Sequence, residues 1–230
     1  MVADDVICEA EQDRLIVTLD RPTKLNAANG AMIRALTEAI RSADAATGVV
    51  VIRGNGPRAF CVGSDLEEFQ HGPDAQKDHI CALRSLAESL YACPVPVIAC
   101  VHGYTLGTGA MIAALADIVI ASSNLSFGAP EMRHKMYPAL VHAVLVERVT
   151  NAIAWDLCAS ARIIGATEAL NLGLASEIVP EDDATCLAER LAFYAGNAPL
   201  LTLGRRVRRA FPREDLPGRI AALSGLMNWT

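Results

Sequence analysis

Apolar and polar residues alternate along the first third of the chain in patterns that predict a strand, a helix and a second strand. Residues 13–22 (DRLIVTLDRP) alternate as a half-buried strand does, and Pro22 ends the run. Residues 48–56 (GVVVIRGNG) read as a buried strand closed by a turn. Between them, residues 27–44 predict an amphipathic helix from the helical spacing of Met32, Ile33, Leu36 and Ile40.

The alternation continues in the middle of the chain. A polar stretch with two histidines precedes an amphipathic helix at residues 80–91, and residues 94–103 form a third strand. An apolar helix follows, and residues 117–131 supply a fourth strand and a turn. Repeated strand–helix alternation predicts the α/β class. From residue 138 onward the pattern is almost entirely helical, so we expect a core over residues 1–137 and a helical segment over 138–230 packed on it.

Composition narrows the function classes. The chain has 230 residues, 52% of them hydrophobic, and a formal charge of -6 without any basic run, which argues against a nucleic-acid partner. Seven cysteines occur without a C-x-x-C pair, so we expect buried thiols in a reducing cytoplasm and no metal site. The N-terminus is acidic and the apolar runs are interrupted before they reach membrane-spanning length, which predicts a cytoplasmic protein without a signal peptide.

One stretch, residues 102–117 (HGYTLGTGAMIAALAD), carries candidate chemistry. It places Gly-Thr-Gly at the start of a helix that has almost no polar side chain. The first N–H groups of a helix lack internal partners and lie at its electropositive end, where they can hold an anion or a developing oxyanion. Glycine also permits close packing of the backbone, so these residues alone leave both explanations open.

Four stretches in order resemble the crotonase (enoyl-CoA hydratase/isomerase) superfamily over roughly residues 10 to 195. They are LDRPTKLNAANGAM at 19–32, RAFCVGSDLEEF at 58–69, HGYTLGTGAMIAALADIVIASSNLSFGAPE at 102–131 and ARIIGATEALNLGLASEIVP at 161–180. The resemblance implies a spiral core of strand-strand-helix turns with a C-terminal helical trimerisation segment. It also implies an acyl-CoA thioester as the substrate, a homotrimer or hexamer, and no cofactor apart from the CoA of the substrate.

The resemblance also implies where the thioester binds. Its oxygen would lie between the backbone N–H groups of Ser64 and Thr108, which together stabilise the negative charge that develops during enolisation or attack. Thr108 departs from the glycine that the resemblance leads us to expect, and its branched side chain is expected either to narrow the site or to alter the direction of the N–H. The residues implied in substrate and CoA binding are Lys24, Leu25, Ala27, Ser64, Asp65, Leu66, Glu67, Gly107 and Thr108.

The acid and base groups distinguish among the reactions of the family. The hydratases of the family that this sequence resembles carry two carboxylates. At the matching positions this sequence has Met111 and Glu131, so the first carboxylate is missing. Shifting a double bond from a 3-enoyl to a 2-enoyl thioester needs one base, which favours an isomerase with Glu131 as the catalytic base. An apolar wall that includes Met111 and Phe127 is expected to raise the pKa of Glu131.

Three alternatives stay open. The chain could be a hydratase or another crotonase-type lyase or decarboxylase, or a CoA-thioester binding protein without turnover. A dinucleotide-binding oxidoreductase is disfavoured, because the glycines at 103, 107 and 109 do not form G-x-G-x-x-G.

Among the remaining polar residues, Asp117 is expected to orient neighbouring backbone. Four histidines are further candidates. His134 and His142 either border the acyl pocket or are structural, and His71 and His79 are expected to be solvent-exposed.

Overall fold

Short apolar runs form two sheets in the computed structural model, which describes residues 5–11, 13–44, 46–181 and 183–210 and residue 218. Within that part of the chain the strands are β1 (Val6–Glu11), β2 (Arg14–Leu19), β3 (Val49–Gly54), β4 (Ala59–Cys61), β5 (Val97–Val101), β6 (Tyr104–Leu106), β7 (Ile118–Ser122), β8 (Ser126–Gly128), β9 (Ile163–Gly165) and β10 (Glu177–Val179). The larger sheet has the order β1-β2-β3-β5-β7-β10, and the smaller has the order β4-β6-β8-β9.

The helices follow the strands in α/β fashion. They are α1 (Gly30–Ser42), α2 (Pro73–Ala92), α3 (Thr108–Leu115), α4 (Ala139–Leu145), α5 (Asn151–Ser160), α6 (Ala166–Leu172), α7 (Ala184–Gly196) and α8 (Ala198–Ala210). Short 3₁₀ turns lie at Pro22–Lys24, Glu68–His71 and Pro130–His134. The predicted helices and the four predicted strands are therefore present, although α2 begins seven residues before the helix expected at residue 80.

Both faces of the larger sheet are buried along its central strands β3, β5 and β7, which explains their continuous apolar runs, whereas most of the edge strand β1 is exposed. In β3, Val50 and Ile52 belong to the main core, whereas Val49 and Val51 face a second cluster. Residues of α7, including Leu187 and Leu191, pack against that second cluster. The parallel pairing from β2 through β10 places the carboxyl ends of these strands along one edge of the sheet.

The expectation that the chain is almost entirely helical beyond residue 138 was wrong at two places. β9 pairs antiparallel with β8, and β10 pairs parallel with β7, so this region completes both sheets. Each of these strands has three residues, which is too short to show a period-two pattern. Residues 211–217 and 219–230, which were expected to continue the helical segment, lie outside the described residues.

The cysteines divide into two groups. Four are buried, as expected: Cys61, Cys93, Cys100 and Cys158. Cys8 and Cys81 are exposed and Cys186 is half-buried, so the expectation of burial was wrong for these three. All seven are free thiols.

Candidate active site

Two turns with glycine at their tightest points meet at one end of α3. Gly63 has φ +113° and Gly107 has φ +51°, backbone conformations that side chains with a Cβ rarely adopt. A Cβ atom on Gly107 would lie 3.3 Å from the Gly63 Cα and 2.7 Å from Glu131 Oε1. Glycine is therefore required at 107 by its conformation and by the space that the neighbouring turn and the glutamate occupy.

The second glycine of the Gly-Thr-Gly sequence has a different purpose. A Cβ on Gly109 would lie 2.3 Å from the Cys61 carbonyl oxygen, because α3 packs directly against β4 there. The structure therefore confirms close packing for Gly109, whereas anion binding at the helix start stays a prediction. Gly107 shapes the turn that enters the helix, and Gly109 permits close packing of the helix on the sheet.

The N–H groups of Ser64 and Thr108 are available at this junction. Thr108 is the first residue of α3, so its N–H has no partner within the helix. Ala28 bridges to the residues on either side of Ser64: it donates to the Gly63 carbonyl at 2.8 Å and accepts from the Asp65 N–H at 2.9 Å. This pairing leaves the Ser64 N–H on the opposite side of its turn. Neither N–H donates a hydrogen bond to another described residue.

The side chains of the same two residues meet across the junction. Ser64 Oγ and Thr108 Oγ1 are 3.1 Å apart, and Thr108 is only 4% exposed. The structure thus brings together the two residues predicted to hold the thioester oxygen. The hydroxyl of Thr108 also fills space that a glycine would leave empty, in agreement with the expected narrowing of the site.

Glu131 lies in the 3₁₀ turn that follows Pro130, directly opposite Gly107. Its Oε2 atom is buried and makes no hydrogen bond to a described residue. Burial raises the pKa of the carboxyl group, because the charged form loses solvation. Met111, 1% exposed, lines the same cavity and supplies part of its apolar wall. Phe127 is also buried but is not among the residues that line the cavity.

A cavity of about 460 Å³ connects these groups. Its polar lining comes from Ser64, Thr108, Glu131, His134, Lys135 and Tyr137. The rest is backbone of glycine turns and apolar side chains, among them Val62, Leu66, Ile80, Leu83, Met111, Met136, Leu140 and Val141. An apolar chamber with a few convergent polar groups is suited to an acyl chain whose reactive end lies beside the glutamate.

A chain of hydrogen bonds begins at Tyr137 on the cavity wall. The Tyr137 hydroxyl oxygen is 2.7 Å from His142 Nδ1, and His142 Nε2 is 2.8 Å from Asn151 Oδ1. Trp155 packs against the tyrosine ring, with their centroids 5.9 Å apart. Sequence reasoning named His142 but missed its partners, although the five-residue separation of Tyr137 and His142 across the start of α4 was visible.

The segments predicted to meet CoA lie side by side. Lys24 Nζ is 2.6 Å from Glu67 Oε1, and both side chains are exposed. Arg21 forms an ion pair with Asp65 at 2.9 Å and also donates to the Ala27 carbonyl. Burial by itself would raise the pKa of Asp65, but the Arg21 guanidinium and the Glu67 N–H hold it below its usual value. The Asp65 carboxylate therefore links the segment at residues 64–67 to the segment at residues 21–27.

Leu25, also predicted to meet CoA, adopts a left-handed conformation next to the buried Asn26. Asn26 was missed as an organising residue. Its side-chain oxygen accepts from the Arg21 N–H at 2.8 Å, and its amide donates to the Asn55 and Ala59 carbonyls at 2.9 Å. These bonds hold the 3₁₀ turn at Pro22–Lys24 against β4.

The expectation that His79 is solvent-exposed was wrong. His79 is 3% exposed, and its Nδ1 atom lies 2.9 Å from Glu68 Oε2. The early start of α2 puts this residue on a regular helix turn, and Glu68 in turn accepts the N–H of Gly30 at the start of α1. His71 is exposed, as expected, and His134 is an exposed residue at the cavity rim.

Asp117 and Arg148 hold the far end of α3. Asp117 accepts the Val97 N–H at 2.8 Å and pairs with Arg205 at 3.0 Å, which confirms that it orients backbone. Arg148 donates to the carbonyls of Ala114 and Ala116. Burial lowers the pKa of this guanidinium to about 10, still well above neutrality. A cation at the carboxyl end of a helix complements the helix dipole.

No helix among the residues that the structure describes is both long enough and apolar enough to cross a lipid bilayer.

Comparisons with known proteins agree with this geometry. A family model described as Enoyl-CoA hydratase/isomerase matches residues 9–196. The 2,3-dehydroadipyl-CoA hydratase of Escherichia coli (strain K12) is 34% identical over 185 residues, which cover 77% of this chain and 70% of that protein.

Solved structures match as well. A crystal structure of an enoyl-CoA hydratase/carnithine racemase from Magnetospirillum magneticum has a TM-score of 0.80 and 31% identity, covering 90% of this chain and 80% of that one. An enoyl-CoA hydratase/isomerase from Xanthobacter autotrophicus Py2 has a TM-score of 0.83 and 26% identity, covering 97% and 85%.

Proposed function

The chain belongs to the enoyl-CoA hydratase/isomerase family, and from that premise we propose that it shifts the double bond of a 3-enoyl-CoA to the 2-position. The observation that carries this proposal is the pairing of an apolar Met111 with a buried Glu131 that has no hydrogen-bond partner on Oε2 among the described residues. One carboxylate is enough for isomerisation, because the same group removes a proton and later returns it.

The reaction follows from the positions of these groups. Glu131 takes the proton from C2 of the substrate, and the electron pair moves onto the thioester oxygen as a dienolate forms. The N–H groups of Ser64 and Thr108 stabilise that oxygen, each contributing about 3 kcal/mol when such donors are preorganised. Glu131 then delivers the proton to C4, and the 2-enoyl thioester results. CoA enters as part of the substrate, so the reaction needs no separate cofactor.

The raised pKa of Glu131 supports its role as a base that is also an acid. A raised pKa makes the carboxylate a stronger base toward the C2 proton, and the carboxylic acid that then forms is the group that protonates C4. Desolvation by the apolar wall brings its affinity for the proton closer to that needed for both halves of the reaction.

Hydration of a 2-enoyl-CoA is a second candidate. The Escherichia coli relative is named as a hydratase, and Tyr137 with its hydrogen-bonded partners adds a second polar group to the cavity. A crotonase-type lyase or decarboxylase reaction would use the same enolate, and a binding protein would show no turnover.

The proposed assembly is a homotrimer or hexamer. Exposed apolar side chains on the helices beyond residue 150, among them Trp155, Phe193 and Leu200, support burial between subunits. Sedimentation equilibrium is expected to show a trimer or its multiple at micromolar concentration. A monomer throughout that range would contradict the proposed assembly.

The test of the isomerase proposal is Glu131→Gln, which keeps the shape of the side chain but cannot accept the proton. We expect acyl-CoA binding to persist while isomerisation of 3-enoyl-CoA falls by about 10³-fold or more. Absorbance and mass analysis of the products separates isomerisation, which conserves mass, from hydration, which adds water. The matched control is Glu181→Gln, at an exposed carboxylate outside the cavity, which is expected to retain wild-type turnover. An unaltered rate in Glu131→Gln would refute the proposed base.

A further inference from the structure

The hydrogen-bond chain from Tyr137 has a defined direction. Asn151 Oδ1 accepts a hydrogen bond from His142 Nε2, which places the proton of the neutral imidazole on Nε2. His142 Nδ1 then carries a lone pair, so the Tyr137 hydroxyl donates to it across 2.7 Å. The proton of the phenol is therefore directed at the imidazole, and Tyr137 lines the cavity. The oxygen lone pairs of Tyr137 are left to accept a hydrogen bond from a molecule in the cavity.

This arrangement has the logic of a base relay. A hydroxyl in the pocket is backed by an imidazole, and the imidazole is oriented by a third group, here Asn151. Trp155 packs on both rings, with centroids 5.9 Å from Tyr137 and 6.2 Å from His142, and restricts their rotation. Because Met111 stands where a second carboxylate would be, Glu131 is the only carboxylic acid among the described residues that line the cavity. Met111 cannot hydrogen-bond a water molecule, whereas the Tyr137 hydroxyl can.

We propose that Tyr137 is a further catalytic residue, which accepts a proton from water bound in the acyl cavity and passes its own proton to His142. The inference rests on the proposed acyl-CoA site and gives that site a hydration activity. The water oxygen bonds to C3 of a 2-enoyl thioester, and the π electrons move toward the thioester oxygen. Protonated Glu131 supplies the proton to C2. The proton on His142 returns to Glu131 through solvent, so each turnover adds one water and leaves the enzyme unchanged.

The charges of the two groups agree with these roles. Burial raises the pKa of Glu131, which favours the protonated acid that C2 requires. Burial also raises the pKa of Tyr137, and the nearby Cys158 adds to this effect. The phenol therefore stays protonated between turnovers and transfers a proton in and a proton out, without forming a stable phenolate.

The first test is Tyr137→Phe, which removes the hydroxyl and keeps the ring. We expect hydration of 2-enoyl-CoA to fall by about 10²-fold or more, and its ratio to isomerisation of 3-enoyl-CoA to fall by at least about tenfold. The matched control is Tyr104→Phe, since Tyr104 is exposed and does not line the cavity, and it is expected to keep both rates. A wild-type protein that does not hydrate 2-enoyl-CoA, or a Tyr137→Phe variant that hydrates within threefold of wild type, would overturn the proposal.

A second test separates the relay from packing. Asn151→Asp places a carboxylate behind His142, where it stabilises the imidazolium, and hydration is expected to equal or exceed the wild-type rate. Asn151→Leu and His142→Gln are expected to lower hydration about tenfold or more. Equal losses in Asn151→Asp and Asn151→Leu would show a packing role and overturn the relay. The proposed isomerase function fails separately, through full isomerisation by Glu131→Gln.

Discussion

The two sides of the acyl cavity are built from different material. The turn wall consists of Gly63–Ser64 and Gly107–Thr108, where the groups proposed to bind the thioester oxygen are backbone N–H groups. The glutamate wall consists of Pro130–Val141, where the groups proposed to transfer protons are the side chains of Glu131 and Tyr137. The first wall depends on the path of the main chain, and the second depends on the identity of individual residues.

This difference divides the chemistry between the walls. Stabilising charge on a thioester oxygen is common to isomerisation, hydration and other enolate reactions, and in the proposed mechanism the turn wall supplies it. Proton transfer decides which of these reactions follows, and in the proposed mechanism the glutamate wall together with Met111 determines it. We therefore expect changes in the turn wall to weaken every reaction and changes opposite it to alter the ratio of reactions.

Among the changes that test this division between the walls, the largest effect is expected from Gly107→Ala in the turn wall. The new Cβ would lie 2.7 Å from Glu131 Oε1, and alanine is strained at φ +51° and ψ −112°. We expect both enoyl-CoA reactions to fall by about 10²-fold or more, because the Thr108 N–H and the glutamate would both move. Steady-state turnover of the two substrates checks this expectation.

The control for Gly107→Ala is Gly204→Ala. Nothing lies within 4 Å of a Cβ at Gly204, which sits inside α8, so alanine is expected to leave turnover intact and to stabilise the helix by about 0.5–1 kcal/mol. Selective loss of one reaction in Gly107→Ala would break the proposed division between the two walls.

A smaller effect, of opposite sign, is expected from Met111→Glu. Met111 is fully buried beside Glu131, so a second carboxylate there gives bound water an additional acceptor and is expected to increase hydration several-fold relative to isomerisation. Burying a second acid also costs stability, since one of the two pKa values must rise. The ratio of hydrated to isomerised product reports the change, with Met111→Gln as the uncharged control. A ratio that does not differ between the two variants would contradict this prediction.

The smallest effect concerns the stability of Glu131→Gln. Burial raises the pKa of Glu131 above its ordinary value of 4.5. Between pH 4.5 and the higher pKa of the folded state, the folded protein therefore holds a proton that the unfolded chain has released. The contribution of this group to stability is therefore greatest at low pH and falls as pH rises through the folded-state pKa. Glutamine lacks this loss, so the variant is expected to have a higher Tm than wild type at pH 8 and a similar one at pH 4. A difference that grows toward low pH would show that Glu131 is stabilised as a carboxylate.

Much of the turn wall could be predicted from sequence, because glycine spacing reports backbone geometry directly. Gly63 and Gly107 lie in two of the motifs that carry the family resemblance, and that resemblance, not the alternation of strands and helices, implied that the two turns meet. The glutamate wall was only partly predictable. Glu131 could be identified by its position after Pro130, but the contact of Tyr137 with His142 depends on the angle at which α4 leaves the preceding turn.

Burial of polar residues was harder to predict than secondary structure. His79 lies in a stretch of polar residues, and nothing in the local pattern shows that Glu68 meets it across the turn before α2. The short strands β9 and β10 were missed for a similar reason, since their pairing with β8 and β7 is set by contacts distant in sequence. Long-range contacts thus account for both kinds of error.

The anchoring of α3 by Arg148 and Asp117 has a mechanical consequence. This helix has eight residues and is about 12 Å long, so it acts as a short rigid strut between its fixed far end and the thioester site. Arg148 donates hydrogen bonds to the carbonyls at one end, and at the other end Gly109 packs directly against Cys61. Contacts at both ends of α3 therefore fix its position, and the placement of the Thr108 N–H depends in part on residues at the opposite end of the helix.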